Sequence, residues 1–289
     1  MKIRQAVIPA AGRGKKFLPV TKKVPKELLP VYDRPCIQYV IEEAVRAGVE
    51  EFIIVISEYK SEVKAFFERD ISLEEWLLQN GNQKYLDLIK NIENIAKYKI
   101  VVQEELLGLG HAVLCAEPYI KDEYFFVLLP DDIIDAEIPV CQQMAEVFSV
   151  HQKPVVSVMQ VPWDQVHRYG IVKADPLSEK VGDVKSIVEK PNRENAPSNL
   201  AVIGRYLLPQ KIFGHIKNNR PVMGQEIELT DALQELIQET VVNCFSFNGD
   251  RFDAGTPLGL LSASLTMALK NPDSKEKVTQ LVKMLASSV

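Results

Sequence analysis

A short glycine-containing loop near the start of the chain has the composition of an anion-binding site. It reads Pro9-Ala10-Ala11-Gly12-Arg13-Gly14 and follows the apolar run Ala6–Ile8. Small residues and paired glycines let backbone N–H groups converge on one point without obstruction by side chains. The first 26 residues also carry eight basic side chains and no acidic one, although the net charge of the chain is −5. Amides backed by ammonium groups suit a polyphosphate, especially when charge builds up on a leaving pyrophosphate.

Two familiar glycine-loop motifs do not fit this loop. A dinucleotide-binding loop would need glycine or alanine where Phe17 stands, and an acidic residue at the expected distance after the loop. A P-loop would need serine or threonine at Lys16 and glycine at Pro9. The alternatives that remain are a different phosphate-binding loop and a tight strand-to-helix turn flanked by solvated lysines.

Two aspartates occupy positions at which a magnesium–phosphate complex could be held. Asp131 follows the apolar run 124–129 after Pro130, and Asp253 lies in a Phe-Asp-Ala-Gly turn after another predicted strand. Ligands of open α/β sheets bind beyond the carboxyl ends of strands, and Mg²⁺ binds carboxylates together with substrate phosphates. We therefore predict Asp131 and Asp253 as Mg²⁺ ligands. A turn or helix cap is the alternative for Asp131 and Asp132, although one cap does not explain two adjacent acids.

The elements that must position these residues alternate between strands and helices. Apolar runs predict strands at 6–8, 52–56, 100–102 and 124–129, and then at 155–161, 171–173, 184–188, 201–207 and 242–247. Helical spacing of apolar residues predicts a helix from Pro35 to Ala47, and composition predicts helices within 61–98 and 257–289. The pattern indicates an α/β fold, a Rossmann-like three-layer sandwich with a mixed, mostly parallel central sheet.

Composition and charge exclude several classes of protein. No run of 18 or more apolar residues and no secretory signal pattern is present, so we expect a soluble cytoplasmic protein without membrane contact. The four cysteines lack Cys-x-x-Cys spacing and the four histidines lack metal-ligand spacing, which favours reduced thiols and argues against a zinc site. The acidic net charge argues against a nucleic-acid partner.

The loop continues into a longer pattern that resembles the signature of bacterial UTP–glucose-1-phosphate uridylyltransferases. It reads Leu18-Pro19-x-Thr21-Lys22-x-x-Pro25-Lys26-Glu27-Leu28-Leu29-Pro30, followed by Pro35-x-Ile37-Gln38-Tyr39. Later segments agree with that family in order and spacing, so the chain is identified as a member of the wider nucleotidyltransferase superfamily. They are Gln103, Leu107-Gly108-Leu109-Gly110-His111-Ala112, Leu129-Pro130-Asp131-Asp132, Tyr169-Gly170-Ile171-Val172, Glu189-Lys190-Pro191, Ala196-Pro197-Ser198-Asn199-Leu200-Ala201, Gly204-Arg205-Tyr206, Glu228-Leu229-Thr230-Asp231-Ala232 and Asp253-x-Gly255.

The resemblance implies a reaction and an organisation. The reaction is transfer of the uridylyl group of UTP to glucose 1-phosphate with Mg²⁺, which gives UDP-glucose and pyrophosphate. In-line attack of a phosphate oxygen on the α-phosphorus needs alignment and charge neutralisation more than a protein nucleophile. The resemblance also implies a single domain over 1–289, with a nucleotide-binding half to about 135, a sugar-phosphate half to about 256 and a helical tail. A homodimer or homotetramer is expected.

The same resemblance assigns roles to single residues. Lys26 contacts the triphosphate, and Lys190 binds the phosphate of the sugar 1-phosphate. A surface ion pair is the alternative for Glu189 and Lys190, and an Asx turn is the alternative for Asn199. The glycines at 108 and 170 are expected to permit close approach of base and sugar. The nucleotide contacts are Ala11, Gly12, Gly14, Glu27, Gln103 and Gly108, and the sugar contacts are Gly170, Glu189 and Asn199.

Two adjacent positions depart from the family pattern. The family usually has Gly-Thr-Arg where this chain has Gly14-Lys15-Lys16, so the arginine that meets the β- and γ-phosphates is Lys16 here. The charge is kept, but the bidentate fork is lost. This altered loop keeps open the alternative of a catalytically weak regulatory subunit. A second alternative, an enzyme that uses dTTP, stays open because one methyl group on the base gives only about 1–3 kcal/mol of discrimination. A turnover assay separates the regulatory subunit from the two enzymes.

Overall fold

The structure, a computed structural model, describes residues 2–219 and 226–287 and is built around a nine-stranded sheet. Within these ranges there are thirteen strands and ten α-helices. The strands are β1 (Gln5–Pro9), β2 (Pro30–Val31), β3 (Arg34–Pro35), β4 (Glu51–Ile56), β5 (Lys97–Val102), β6 (Tyr124–Leu128), β7 (Asp132–Asp135), β8 (Val155–Gln160), β9 (Gly170–Pro176), β10 (Val181–Glu189), β11 (Leu200–Pro209), β12 (Asn243–Ser246) and β13 (Asp250–Asp253). The helices are α1 (Cys36–Arg46), α2 (Ser61–Phe67), α3 (Ile71–Gln79), α4 (Gln83–Asn94), α5 (Leu109–Cys115), α6 (Val140–His151), α7 (Ile212–Asn218), α8 (Leu229–Glu239), α9 (Pro257–Lys270) and α10 (Lys275–Ala286).

The large sheet has the order β5-β4-β1-β6-β11-β8-β12-β10-β9, with β11 also paired to β9. The strands β5, β4, β1 and β6 pair in parallel, while β11 pairs antiparallel with β6, β8 and β9. In the second half of the chain only β8 and β12 pair in parallel among the described strands. The predicted mixed sheet is confirmed, but parallel pairing predominates only in the first half. One cause is the short connection between β9 and β10, which allows only an antiparallel hairpin, and β11 adds antiparallel pairs with β6, β8 and β9.

Two buried cores lie on opposite faces of this sheet. Successive side chains of a strand alternate between faces, so Ile8 belongs to one core and Val7 to the other. The first core contains Ile41 of α1 and Met144 of α6, and the second contains Val113 of α5 together with side chains of α7 and α8. Helices therefore cover both faces, which confirms the predicted three-layer sandwich.

Most predicted elements of the first half form within a few residues of their expected bounds. The charged stretch 61–98 folds as α2, α3 and α4, and the predicted tail folds as α9 and α10, with residues 288–289 outside the described residues. The helices α5 to α8 are not predicted from the sequence. Among the described residues, no helix is both long and apolar enough to cross a membrane. All four cysteines are free thiols.

A two-stranded ribbon brings together two aspartates that are far apart in the chain. Strands β7 and β13 pair antiparallel with Asp132 opposite Asp253, and the Ala254 amide donates to the Asp131 carbonyl at 2.8 Å. A small third core, which includes Ile133 and Ala263, packs α9 against the ribbon. The ribbon thus fixes Asp131 and Asp253 side by side at the carboxyl end of the sheet.

Candidate active site

The glycine loop after β1 presents a row of free backbone donors. Gly14 adopts a left-handed conformation with φ 65°, and a Cβ at this position would lie 3.1 Å from Thr21 Cγ2. The Thr21 hydroxyl donates to the Gly14 carbonyl at 2.8 Å and holds the turn. Within the described part of the chain, the N–H groups of residues 11–16 donate to no other protein group. Free N–H groups that converge in a loop form an anion-binding site.

A cavity of about 570 Å³, the loop cavity, is lined in part by the cationic side chains of this loop. Arg13, Lys15 and Lys16 are exposed on its wall, together with the less exposed Lys26. Among the described residues, no carboxylate forms an ion pair with Lys15 or Lys16. The other basic residues of the N-terminal segment do not line this cavity, and Lys2 pairs with Glu50 at 2.5 Å elsewhere on the surface. Only part of the cationic segment is therefore available to a phosphate chain.

A close ion pair joins the loop cavity to the end of β6. Lys26 Nζ lies 2.5 Å from Asp131 Oδ2. Burial acts to lower the pKa of Lys26, but the Asp131 and Glu27 carboxylates outweigh it and raise the pKa above its ordinary value. Burial likewise opposes ionisation of Asp131, yet the Lys26 ammonium holds the pKa of that carboxyl below its usual range. Both groups are therefore charged at neutral pH.

A second ion pair lies underneath the glycine loop. Lys60 Nζ donates to both Glu27 carboxylate oxygens, at 2.8 and 2.7 Å, and to the Ala10 carbonyl at 2.6 Å. Glu27 is completely buried and does not line the loop cavity, so the structure places it beneath the loop. Burial raises the pKa of Glu27 and lowers the pKa of Lys60, each opposed by the charge of the other. This pair braces the loop from below.

The carboxylates of Asp131 and Asp253 converge next to Gly255. A Cβ at Gly255 would lie 2.5 Å from Asp131 Oδ2 and 3.0 Å from Asp253 Oδ1, so only glycine leaves room between them. The other oxygen of Asp253 accepts from Arg168 at 2.7 Å. In the described ranges no three His, Cys, Asp or Glu side chains gather as a metal site. Two carboxylates completed by substrate phosphates are the coordination that Mg²⁺ commonly has in phosphoryl-transfer sites, and these residues fit it.

The carboxylate of the neighbouring Asp132 is engaged in contacts within the protein. Its carboxylate forms an ion pair with Arg251, and Oδ2 accepts from the Gly204 amide at 2.9 Å. Arg251 also donates to the Tyr169 hydroxyl at 3.1 Å. Asp132 therefore ties β7 to β11 and β13, while Asp131 remains at the cavity.

A second cavity of about 520 Å³ adjoins the first and is called the Lys190 cavity. Lys190 Nζ lies 2.7 Å from Glu189 and 3.4 Å from Glu228. Partial burial acts to lower the pKa of Lys190, but these two carboxylates raise it above the ordinary value. The Thr230 hydroxyl donates to Glu189 at 3.0 Å and fixes that carboxylate. The two cavities share the residues Lys16, Leu109, Leu129, Asp131 and Glu226.

At two of the predicted site glycines, neighbouring protein atoms leave no room for a side chain. Gly108 has φ 99°, and a Cβ there would lie 2.8 Å from Glu226 Cβ. A Cβ at Gly170 would lie 2.8 Å from Thr230 Cγ2. Both glycines line a cavity, Gly108 the first and Gly170 the second, but the space of the missing side chain is filled by a neighbouring segment.

Asn199 is the predicted sugar contact that the structure does not bring to a cavity. Its side-chain amide donates to the Val161 carbonyl at 3.0 Å, and its own carbonyl accepts from the Val161 amide. It lines neither cavity. Asn199 thus extends the pairing of β11 with β8 by one residue and forms no Asx turn, and its sugar contact stays a prediction.

Other predicted residues line one of the two cavities. Ala11, Gly12, Gly14, Gln103 and Gly108 line the loop cavity, and Glu189 and Lys190 line the second. Sequence reasoning missed the cavity residues Arg168, Glu226, Glu228 and Thr230. Two of these, Glu228 and Thr230, lie in a segment that agrees with the family in sequence. Their residue types alone do not mark them as cavity residues.

This arrangement of loop, paired aspartates and adjoining cavities matches a known family. Residues 5–269 match the family model described as nucleotidyl transferase. The chain belongs to the nucleotidyl transferase family of enzymes, which confirms the family identified from the motifs.

Several proteins similar to this chain over nearly its whole length are UTP–glucose-1-phosphate uridylyltransferases. The chain is 42% identical over 286 residues to the UTP–glucose-1-phosphate uridylyltransferase of Staphylococcus haemolyticus (strain JCSC1435), with 98% of each chain covered. It is similar to a UTP-bound UGPase from Acinetobacter baumannii, with a TM-score of 0.86, 38% identity and coverage of 97% and 98% of the two chains. A UDP-glucose pyrophosphorylase complexed with UDP-glucose gives a TM-score of 0.84, 37% identity and coverage of 93% and 100%.

Proposed function

We propose that this protein transfers the uridylyl group of UTP to glucose 1-phosphate and releases UDP-glucose and pyrophosphate. The observation that carries the proposal is the junction of two cavities at Lys16 and Asp131, one lined by the glycine loop and the other by Glu189 and Lys190. The names of the relatives support this choice of substrates, since one solved relative is UTP-bound and another is complexed with UDP-glucose. The cytoplasmic location and the homodimer or homotetramer stay predictions.

The loop cavity supplies binding groups for a triphosphate. The free amides of residues 11–16 offer hydrogen bonds to phosphate oxygens, and Lys15 and Lys16 add positive charge at the same wall. Charge-assisted hydrogen bonds of this kind are roughly twice as strong as neutral ones. They act most on the pyrophosphate as it leaves, because negative charge develops there.

Asp131 and Asp253 would hold Mg²⁺ beside the phosphates. When bound, the ion would neutralise phosphate charge and align the reacting groups. Lys26 already contacts Asp131, so its ammonium lies close to the same phosphates and keeps that carboxylate ionised. Arg168 holds Asp253 from the opposite side at 2.7 Å.

The Lys190 cavity would bind the sugar 1-phosphate. Lys190 offers the cation for its phosphate, and Glu189, fixed by Thr230, offers acceptors for sugar hydroxyls. A phosphate oxygen of the sugar 1-phosphate then forms the new bond to the α-phosphorus of UTP. The bond from the α-phosphorus to the bridging oxygen of the β-phosphate breaks, and pyrophosphate leaves. A sugar phosphate is already ionised at neutral pH, so no protein base is required.

A turnover assay tests the proposed function. The purified protein is incubated with Mg²⁺, glucose 1-phosphate and either UTP or dTTP, and pyrophosphate release is followed. We expect rapid release with UTP, which would show that Lys16 serves where the family usually has arginine. Preference for dTTP would overturn the choice of nucleotide. Absence of release with both nucleotides, in a protein that still binds UDP-glucose, would instead identify a regulatory subunit.

Replacing Lys190 by alanine is expected to raise the KM for glucose 1-phosphate by about 10- to 100-fold, the range of a lost charge-assisted hydrogen bond. The KM for UTP should change little, because Lys190 lines only the second cavity. Steady-state kinetics with each substrate varied in turn measure both values. Lys185→Ala is a matched control, since Lys185 lies on β10, the strand that ends just before Lys190, and pairs with Asp175 at the surface. Equal losses for both substrates would contradict the assigned role.

Replacing Lys16 by arginine is expected to maintain or raise kcat. Arginine restores a planar, two-point contact with a phosphate at a position that lines both cavities. The exposed Lys23 lines neither cavity, so Lys23→Arg serves as the control. A large fall in kcat for Lys16→Arg alone would show that the loop conformation is adapted to lysine.

A further inference from the structure

The side-chain amide of Gln103 is held in one orientation. Gln103 directly follows β5, is 2% exposed and lines the loop cavity. Its Nε2 atom lies 3.2 Å from the Gly108 carbonyl and 3.0 Å from His111 Nδ1. A carbonyl oxygen can only accept, so the amide nitrogen must be the atom on this side. His111 Nδ1 must then accept a hydrogen bond from this amide nitrogen. The proton of the neutral imidazole therefore lies on the other ring nitrogen, His111 Nε2.

The amide oxygen of Gln103 is available to a ligand. Among the described residues none donates to Gln103 Oε1, although the side chain lines the loop cavity. The backbone of Gln103 is fixed because its amide donates to the Ile56 carbonyl at 2.7 Å. The start of α5 is fixed too, because the Gly110 amide donates to the Ile227 carbonyl at 2.8 Å. Both partners of the Gln103–His111 bond are therefore anchored.

An amide with a free oxygen distinguishes two kinds of pyrimidine. An imide base such as uracil or thymine has an N3–H donor, which Oε1 can accept. Cytosine has an acceptor at N3, so the same amide oxygen would face a lone pair. A site built to hydrogen-bond one of these groups rejects the other strongly, because its own polar atoms would stay unpaired. A flipped amide would reverse the preference.

We propose that His111 is a positioning residue for base selection. By accepting a hydrogen bond from Gln103 Nε2, it keeps the amide oxygen directed at the ligand, and the site selects an imide pyrimidine over cytosine. This inference rests on the proposed function, because it places the base of UTP beside Gln103 in the loop cavity. His111 itself need not touch the nucleotide.

Replacing His111 by leucine tests the inference, because leucine fills the space and removes the acceptor. The measured quantities are kcat/KM with UTP and with CTP, and the Kd values of UDP-glucose and CDP-glucose by calorimetry. We expect the preference for the uridine compounds to fall by about 10-fold or more, in line with loss of one orienting hydrogen bond. His111→Asn, whose Oδ1 can replace Nδ1 as acceptor, should restore most of the preference. His151→Leu, on α6 and outside both cavities, is the control.

An equal loss for uridine and cytidine compounds in His111→Leu would reduce His111 to a structural residue and overturn the inference. If the leucine variant does not fold, ¹⁵N NMR of the histidines in the wild-type protein still decides. A proton on Nε2 of His111 supports the inference, and a proton on Nδ1 overturns it. If the wild-type protein turns over neither UTP nor CTP, the proposed function fails, but the ratio of the two Kd values and the tautomer still test base selection.

Discussion

Replacing Asp131 by asparagine is expected to lower kcat by about 1,000-fold, the upper range for removal of one preorganised electrostatic group. The substitution keeps the size of the side chain but removes the charge that converges with Asp253 next to Gly255. It also leaves Lys26 without its partner at 2.5 Å. Pyrophosphate release measured over a range of Mg²⁺ concentrations gives kcat and the Mg²⁺ dependence together. Asp253→Asn is expected to have an effect of the same order.

A control on β7, the strand that begins directly after Asp131, separates this loss from a general effect of removing a carboxylate. Asp135 lies at the far end of β7 and forms an ion pair with Lys270, away from both cavities. Asp135→Asn should leave kcat within about 2-fold, because Asp135 lines neither cavity and its charge is removed away from the phosphates. If Asp131→Asn kept more than a tenth of the wild-type kcat, Asp131 would not belong to the metal site.

Replacing Arg205 by methionine is expected to lower the free energy of unfolding by about 3–5 kcal/mol, the cost of breaking a buried ion pair from one side. Arg205 is completely buried, and its guanidinium lies 2.7 Å from the Glu43 carboxylate. It also donates to the carbonyls of Leu129 and Asp132, on either side of Asp131. The substitution therefore leaves Glu43 buried without its cation and loosens the turn that carries Asp131. Urea denaturation of the purified variant measures the change.

Two controls show whether the loss comes from the buried charge. The double variant Glu43→Gln with Arg205→Met should be less destabilised than Arg205→Met alone, because no unpaired charge remains in the core. Lys2→Met removes the exposed pair with Glu50 and should cost at most about 1 kcal/mol. A change below 1 kcal/mol for Arg205→Met would mean that solvent or another group compensates Glu43.

The part of the fold that could be predicted from the sequence is the part that is locally encoded. Strands such as β1, β4 and β6 are uninterrupted apolar runs, buried on both faces, and such runs are distinctive in a sequence. The helices α5 to α8 were missed because each is short or only partly apolar, and their burial depends on the sheet beneath them. Strand direction in the second half is a property of the connections, and the apolar runs themselves do not reveal it.

The parts of the site that lie within contiguous motifs could be predicted from the sequence. The contacts between side chains that are distant in the chain could not. The glycine loop and the aspartate after β6 are visible because composition and position agree. The partner of Glu27 is Lys60, 33 residues later, and the partner of Asp253 is Arg168, 85 residues earlier. No spacing rule connects such pairs, since they meet only after the strands have assembled. Asn199 is a further case, because its side chain and main chain both pair with Val161, 38 residues earlier in the chain.

The measurement that tests the central claim most directly follows the oxygen atoms of the sugar phosphate. Wild-type protein is incubated with Mg²⁺, UTP and glucose 1-phosphate labelled with ¹⁸O in its phosphate group, and the products are observed by ³¹P NMR. Direct attack on the α-phosphorus predicts UDP-glucose with labelled oxygen in the bridge between its two phosphorus atoms, and unlabelled pyrophosphate. Label in the pyrophosphate, or no UDP-glucose at all, would contradict uridylyl transfer at the junction of the two cavities.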